Sequence, residues 1–203
     1  YQSDDEIPAK IYDQGVRAGD CIYEDVDGND VITFKTTDTT VKATDLVDLD
    51  SKIDNGTYTS IETITADAKD VSYVSAALAV ANNAAVTITG TITATQANTI
   101  AADPNAGNLT ATVEADTAAN LAAKLTGMAL TDKLTLTVNG TTAAAADLNT
   151  LATKTGGKIK LDATEVTGDV AALTALYDTN KASFTALGNE NVTITGANPT
   201  AAE

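Results

Sequence analysis

The sequence has no histidine and no tryptophan. Without an imidazole there is no Ser–His or Cys–His nucleophile pair and no histidine-ligated zinc. Cysteine occurs once, at Cys21, so no internal disulfide can form. Cys21 is read as a small buried hydrophobe or as an intermolecular bridge. Aromatic residues are few, six Tyr and two Phe, and none lies between Val86 and Leu176. That leaves no platform for stacking sugars or bases along the middle of the chain. Basic residues are also scarce. Lys and Arg number 12 against 28 Asp and Glu, a net charge of −16. Nucleic-acid binding and docking on anionic lipid both need clustered cations, and both are excluded as expectations. No apolar run approaches the roughly 18 residues of a membrane span, so no membrane insertion is expected. The chain opens at Tyr1 with no basic and apolar leader, which is compatible with removal of one.

What the sequence has in place of these is Ala and Thr, 73 of its 203 residues, with only six Ser. That length can bury a core without disulfide or metal staples. The composition shifts near residue 40. Residues 1–50 carry −9 of the net charge and half of the aromatics. Within them, Cys21-Ile22-Tyr23 and Val31-Ile32-Thr33-Phe34 read as strands, and the Asp27-Gly28 between them is a hairpin turn signal. Residues 1–40 are therefore expected to form an acidic β-hairpin or docking segment, and 41–203 a Thr/Ala-rich repeat domain.

The repeat is the most informative feature. Strand-like starts occur at Leu109-Thr-Ala-Thr-Val113, Leu134-Thr-Leu-Thr-Val138 and Ile159-Lys-Leu-Asp-Ala163, 25 residues apart each time. A shorter earlier unit begins at Ile88, and a degenerate one runs from Ile61-Glu-Thr-Ile64 through Val71, Val74 and Leu78. Val192-Thr-Ile-Thr-Gly196 restarts the motif. In each unit the first half alternates apolar residues with Thr, the period of a strand. The second half is Ala-rich with apolar residues three and four apart. Thr142–Lys154 is the clearest helix, stopped by Gly156-Gly157. The expected fold class is α/β: a repeat solenoid of strand–helix units with a small N-terminal β element. The alternative is an all-β repeat coil with irregular Ala returns. Thr on the outer strand face keeps a strongly β-forming surface soluble.

Candidate chemistry is sparse. Asp25, Asp27, Asn29 and Asp30 are candidate calcium ligands, being hard oxygen donors close in sequence. Gly28 stands fourth from Asp25 where an EF-hand needs it sixth, so a hairpin turn is the plainer reading. Asp45, Asp48, Asp50 and Asp54 form a second acidic cluster that reads as a solvated face. Gly156-Gly157-Lys158 lacks the Ser or Thr and the upstream Gly of a phosphate loop. Asn-x-Thr occurs at Asn55, Asn108, Asn139 and Asn191, where composition alone yields about three such triplets, so these are no evidence of glycosylation. Paired carboxylates for glycoside hydrolysis cannot be singled out among 28 acids. No catalytic residue and no cofactor is assigned, calcium alone remaining open.

Three segments carry a resemblance: Val86-Thr-Ile-Thr-Gly-Thr-Ile-Thr-Ala-Thr-Gln-Ala-Asn-Thr-Ile100, Leu134-Thr-Leu-Thr-Val-Asn-Gly-Thr-Thr142 and Ala146-Asp-Leu-Asn-Thr-Leu151. They resemble the Thr/Ala-rich tandem repeats of large secreted bacterial surface proteins, often cyanobacterial, called β-strand-repeat proteins. The likeness spans roughly residues 60–196 and does not extend to residues 1–40. It implies an extracellular or cell-surface, non-enzymatic role and supplies no catalytic residues. The expected function is a structural subunit that self-assembles into a layer, filament or fibre. Its partners are then copies of itself, with surface polysaccharide a further candidate. The alternative is a glycan-binding adhesin or a phage-fibre module, which would sit on a phage particle.

Overall fold

The structure is a computed structural model that describes residues 21–26, 29–34, 40–52 and 61–196, with side chains for 40–47 and 61–196. The chain is mixed α/β, built on parallel strands, and it divides into two units. The first takes in the described residues up to Thr89 together with Asp103–Gly107. The second takes in Gly90–Ala102 and the described chain from Asn108 onward.

In the first unit, β1 (Cys21–Val26) and β2 (Asn29–Phe34) pair antiparallel with Cys21 opposite Phe34 and Val26 opposite Asn29. The hairpin is where the β-branched and aromatic run of the sequence puts it. Next come β3 (Thr40–Lys42), helix α1 (Ala43–Lys52), β4 (Thr63–Asp67), a 3-10 turn (Ala68–Tyr73), helix α2 (Val74–Val80) and β5 (Ala84–Ile92). The strands β3, β4 and β5 are parallel and adjacent in that order. Alternation places Val41, Ile64 and Val86 in one cross-strand column, with Ile64 and Val86 fully buried. Leu46 of α1 and Val74 and Leu78 of α2 are fully buried as well. Gly107 passes so close to β5 that a Cβ there would lie 2.8 Å from the Asn83 carbonyl oxygen, so only glycine fits.

In the second unit helices and strands alternate. Helix α3 (Ala94–Ala101) precedes β6 (Ala106–Val113), then α4 (Ala118–Lys124), β7 (Lys133–Val138), β8 (Thr142–Ala144) and α5 (Ala145–Ala152). After them come β9 (Ile159–Leu161), β10 (Glu165–Gly168), α6 (Val170–Thr174), a π turn (Ala175–Thr179), a 3-10 turn (Lys181–Ser183), β11 (Phe184–Thr185) and β12 (Asn191–Ile194). The strands β6, β7, β9 and β11 form one parallel run, and β8, β10 and β12 a second sheet. Leu136, Ile159 and Phe184 make an inward column in the first, and Ala143, Val166 and Val192 a column in the second. The helices turn Ala94, Ala97 and Ile100, Ala118 and Leu121, or Ala145, Leu148 and Leu151 inward at helical spacing. Alanine at these positions lets a helix lie close to the strands without aromatic filler. Thr93 opens α3 with a capping box, its Oγ1 accepting the Gln96 N–H at 3.1 Å and its own N–H donating to Gln96 Oε1 at 2.9 Å. Such a cap stabilises a helix end by about 1 kcal/mol.

Partners across the strands are separated by nearly constant lengths of chain. Thr40 faces Thr63, Thr110 faces Lys133, Leu136 faces Ile159, and Thr142 faces Glu165, a separation of 23 each time. Thr63 faces Ala85 at 22, Ile159 faces Phe184 at 25, and Glu165 faces Asn191 at 26. The repeat read from strand starts is 25. Between 23 and 25 the difference of two is one strand period, so in those pairs the side chains keep their faces while the register shifts. One further reading changes. The helix expected over Thr142–Lys154 begins only at Ala145, because Thr142–Ala144 pairs with β10. The strand motif at Val192–Gly196 does form a strand, β12, which joins the second sheet, while β11 takes the first-sheet position.

Candidate functional site

Asp25 stands opposite Asp30 in the hairpin, next to the Val26–Asn29 pair. This places three of the four candidate calcium ligands at one end of β1 and β2. Their side chains, and Asp27 altogether, lie outside the described residues. Of the second acidic cluster, Asp45 sits exposed in the first turn of α1 and accepts from Thr44 Oγ1 at 3.1 Å. Asp48 and Asp50 belong to the same helix, and Asp54 lies outside the described residues. Among the described residues no group of three or more Cys, Asp or Glu is placed to hold a metal ion. No helix among them is long and apolar enough to cross a membrane.

The outward strand face carries Thr in cross-strand pairs. Thr65 faces Thr87, Thr112 faces Thr135, and Thr137 faces Lys160, which faces Thr185. Neighbouring strands lie about 4.8 Å apart, so these side chains form short rows of methyls and hydroxyls. Thr89 Oγ1 donates to Asp67 Oδ1 at 2.5 Å. Thr112 and Thr135 are exposed to solvent.

Polar side chains also tie each stretch of chain to the one before it. The buried Asp132 accepts the Leu109 N–H at 2.8 Å and the Ala129 N–H at 2.9 Å. Thr155, 1% exposed, accepts the Leu134 and Gly157 N–H groups at 2.8 Å each. Asn98 Oδ1 takes the Gly127 N–H at 2.7 Å. Asn149 Nδ2 donates to the Ala172 carbonyl at 2.9 Å and its Oδ1 accepts from Asn180. Glu165 accepts from Thr142 on one side at 3.2 Å and Thr193 on the other at 2.6 Å, spanning all three strands of the second sheet. The sequence assigns none of these residues a partner, although Asn98, Thr142, Asn149 and Thr193 fall within its repeated motifs. The signal available was a recurring Asn in the helices, at Asn98, Asn120 and Asn149, and it specifies no partner.

Two ionisable groups are perturbed. The side-chain amide of Asn120, then the Lys124 ammonium 2.9 Å away, hold the Asp116 carboxyl below the usual carboxylate range. Burial, then hydrogen bonding to Glu190, push the Tyr177 phenol well above its ordinary value. Glu190 also collects the Gly188 and Asn189 N–H groups, so this carboxylate closes the loop before β12. Neither group stands beside a candidate nucleophile.

The last strand differs from the others in exposure. All four residues of β12 are exposed, with Val192 and Ile194 each at 49%. The N–H groups of Asn191 and Thr195 donate to the Thr164 and Gly168 carbonyls on the β10 side. Alternate residues of a parallel strand face alternate neighbours. The Val192 and Ile194 backbone groups therefore point away from β10, where no strand of the described residues lies. In the column Ala143–Val166–Val192, the first two are buried and the third is half open.

Comparison with known proteins finds no matching family model, no matching curated protein and no matching solved structure.

Proposed function

We propose that this protein is a non-catalytic structural subunit of an extracellular or cell-surface assembly, built as a repeat solenoid and joined to copies of itself by strand pairing. The observation that carries the reading is the open edge at β12. Among the described residues no strand pairs with its outer backbone groups, and it presents two half-exposed apolar side chains at the end of a column that is buried further in. It carries no Lys, no Pro and no bulge, the devices that ordinarily keep an edge strand from pairing with another chain. Burying the exposed half of Val192 and Ile194 contributes roughly 1 kcal/mol each, and main-chain hydrogen bonds supply the rest. The near-constant separation of 22–26 residues between paired strands supports the solenoid, since each length of chain docks on its predecessor in the same way. The resemblance to β-strand-repeat surface proteins points the same way. A net charge of −16 opposes association, so assembly requires salt or divalent cations to screen it.

Electron microscopy and sedimentation of the whole chain, with calcium and with chelator, test this. Ordered filaments, tubes or sheets are expected, and V192K/I194K is expected to sediment as monomer. A wild-type chain that stays monomeric at every concentration and salt condition overturns the reading. The exposed Thr rows favour a second reading, a glycan-binding adhesin or phage-fibre module. Glycan-array binding by a monomeric chain would replace the first reading with that one.

A further inference from the structure

Asn139 and Gly140 form the corner between β7 and β8, and both are exposed. Asn139 is the described asparagine that precedes a glycine; the others precede Asp, Asn, Ala, Thr, Leu, Lys, Glu or Val. The Asn139 backbone N–H is held by the Asp116 carbonyl at 3.0 Å, which anchors the residue. Neither the Asn139 side-chain amide nor the Gly140 N–H is hydrogen-bonded among the described residues. By contrast, Asn98, Asn120, Asn149 and Asn180 have their amides engaged. Gly140 has a φ of +102°, and no Cβ shields its nitrogen. A Cβ placed there would meet nothing nearer than Thr117 Cγ2 at 3.7 Å, so the corner has room for a ring.

We propose that Asn139–Gly140 is a self-modification site, at which the main-chain nitrogen of Gly140 attacks the side-chain carbonyl carbon of Asn139. A solvent base takes the Gly140 amide proton and the N–Cγ bond forms. The Cγ–Nδ2 bond breaks, and ammonia leaves with a proton from water. Water then opens the resulting succinimide. Breaking the new N–Cγ bond leaves an aspartate at position 139. Breaking the bond to the main-chain carbonyl carbon leaves an isoaspartate, with the side-chain methylene now in the main chain. Either product adds one negative charge to an already acidic chain.

The isoaspartate has a further structural consequence. The Thr141 carbonyl, two residues on, accepts the Thr164 N–H at 3.1 Å, the Glu165 N–H at 2.9 Å and the Thr164 hydroxyl at 3.0 Å. It is the peg on which β10 hangs. An extra methylene at the corner displaces that carbonyl and loosens the second sheet, so the site marks the age of the molecule in its β8–β10 pairing.

The test is to incubate the whole chain in neutral and mildly alkaline buffer, beside a synthetic peptide covering Thr135–Thr142 and the chain in urea. Peptide mapping by mass spectrometry and isoaspartate methyltransferase labelling locate the product. Asn139 is expected to convert before any other described asparagine, at a rate comparable to the peptide. One equivalent of ammonia and one acidic step in isoelectric focusing accompany conversion at Asn139, beside any from Asn55-Gly56, the other Asn-Gly pair of the sequence, which peptide mapping follows separately. Asn139→Gln removes that step, and faster amide exchange at Glu165 appears only in aged wild-type chain. An Asn139 that stays intact while the peptide and the urea-treated chain have converted overturns the proposal, as does earlier conversion at another described asparagine.

Discussion

The buried carboxylate of Asp132 holds the backbone N–H of Leu109 at 2.8 Å, across 23 residues of chain. Its other oxygen holds the Ala129 N–H, and its own main-chain carbonyl receives the Gly156 N–H at 2.8 Å. One residue thus ties the middle of β6 to the loop before β7 and to the loop before β9. Asp132→Ala strands two amide donors, each costing roughly 1–3 kcal/mol. The urea midpoint should fall accordingly, with Asp132→Asn recovering part of the loss. An alanine variant as stable as wild type would show that these donors find water instead.

Thr155 does the same work one strand later. Its hydroxyl takes two N–H groups and lies 3.1 Å from the Leu134 carbonyl, which can receive its proton. Thr155→Val keeps the shape and removes every one of these bonds. A loss of roughly 1–3 kcal/mol is expected, since the stranded groups are buried. Thr155→Ser should retain most of the stability, and equal stability of the Val variant would count against the assigned role.

Gly157 is required for space rather than for backbone conformation. A Cβ there would run into the Leu134 carbonyl oxygen, a backbone atom that cannot swing aside. Gly157→Ala should therefore lower the thermal midpoint, with a cost of roughly 1–3 kcal/mol from overpacking. Gly188→Ala is the contrasting case. It has open space around it but a φ of +105°, so its cost comes from the backbone alone.

Stability should also depend on pH at both ends of the scale. The Tyr177 phenol is raised in the folded chain, so above pH 10 or so the unfolded chain loses a proton that the folded chain keeps. Its contribution is complete below the ordinary tyrosine pKa and is lost as pH rises. Tyr177→Phe should flatten that alkaline limb. Asp116 is lowered, so its contribution is present above the ordinary aspartate pKa and is lost as pH falls below it. Asn120→Ala should weaken that acid limb more than Lys124→Ala, and denaturant melts across pH would read both.

Much of the architecture could be read from local pattern. Alternation in Leu134-Thr-Leu-Thr-Val138 specifies a strand and its buried face, and the structure has Leu134, Leu136 and Val138 fully buried. Leu148 and Leu151 at helical spacing specify the buried side of α5. The strands Glu165–Gly168 and Phe184–Thr185 are not legible in the sequence, being four and two residues long with no periodic run to mark them.

The sequence by itself determined the mixed α/β class and, in segments such as Leu134–Val138 and Ala145–Ala152, strand or helix and which face turns inward, because those depend on side-chain periods within a few residues. It also ruled out chemistry that needs histidine. Only the tertiary structure decided the register, the assignment of β12 to the second sheet, and the partners of Asp132, Thr155 and Asn149. A shift of two residues leaves every apolar side chain buried, so hydrophobic patterning alone cannot choose between a separation of 23 and one of 25. The choice falls to buried hydrogen bonds between residues more than 20 apart, and these exist only once the chain has closed on itself.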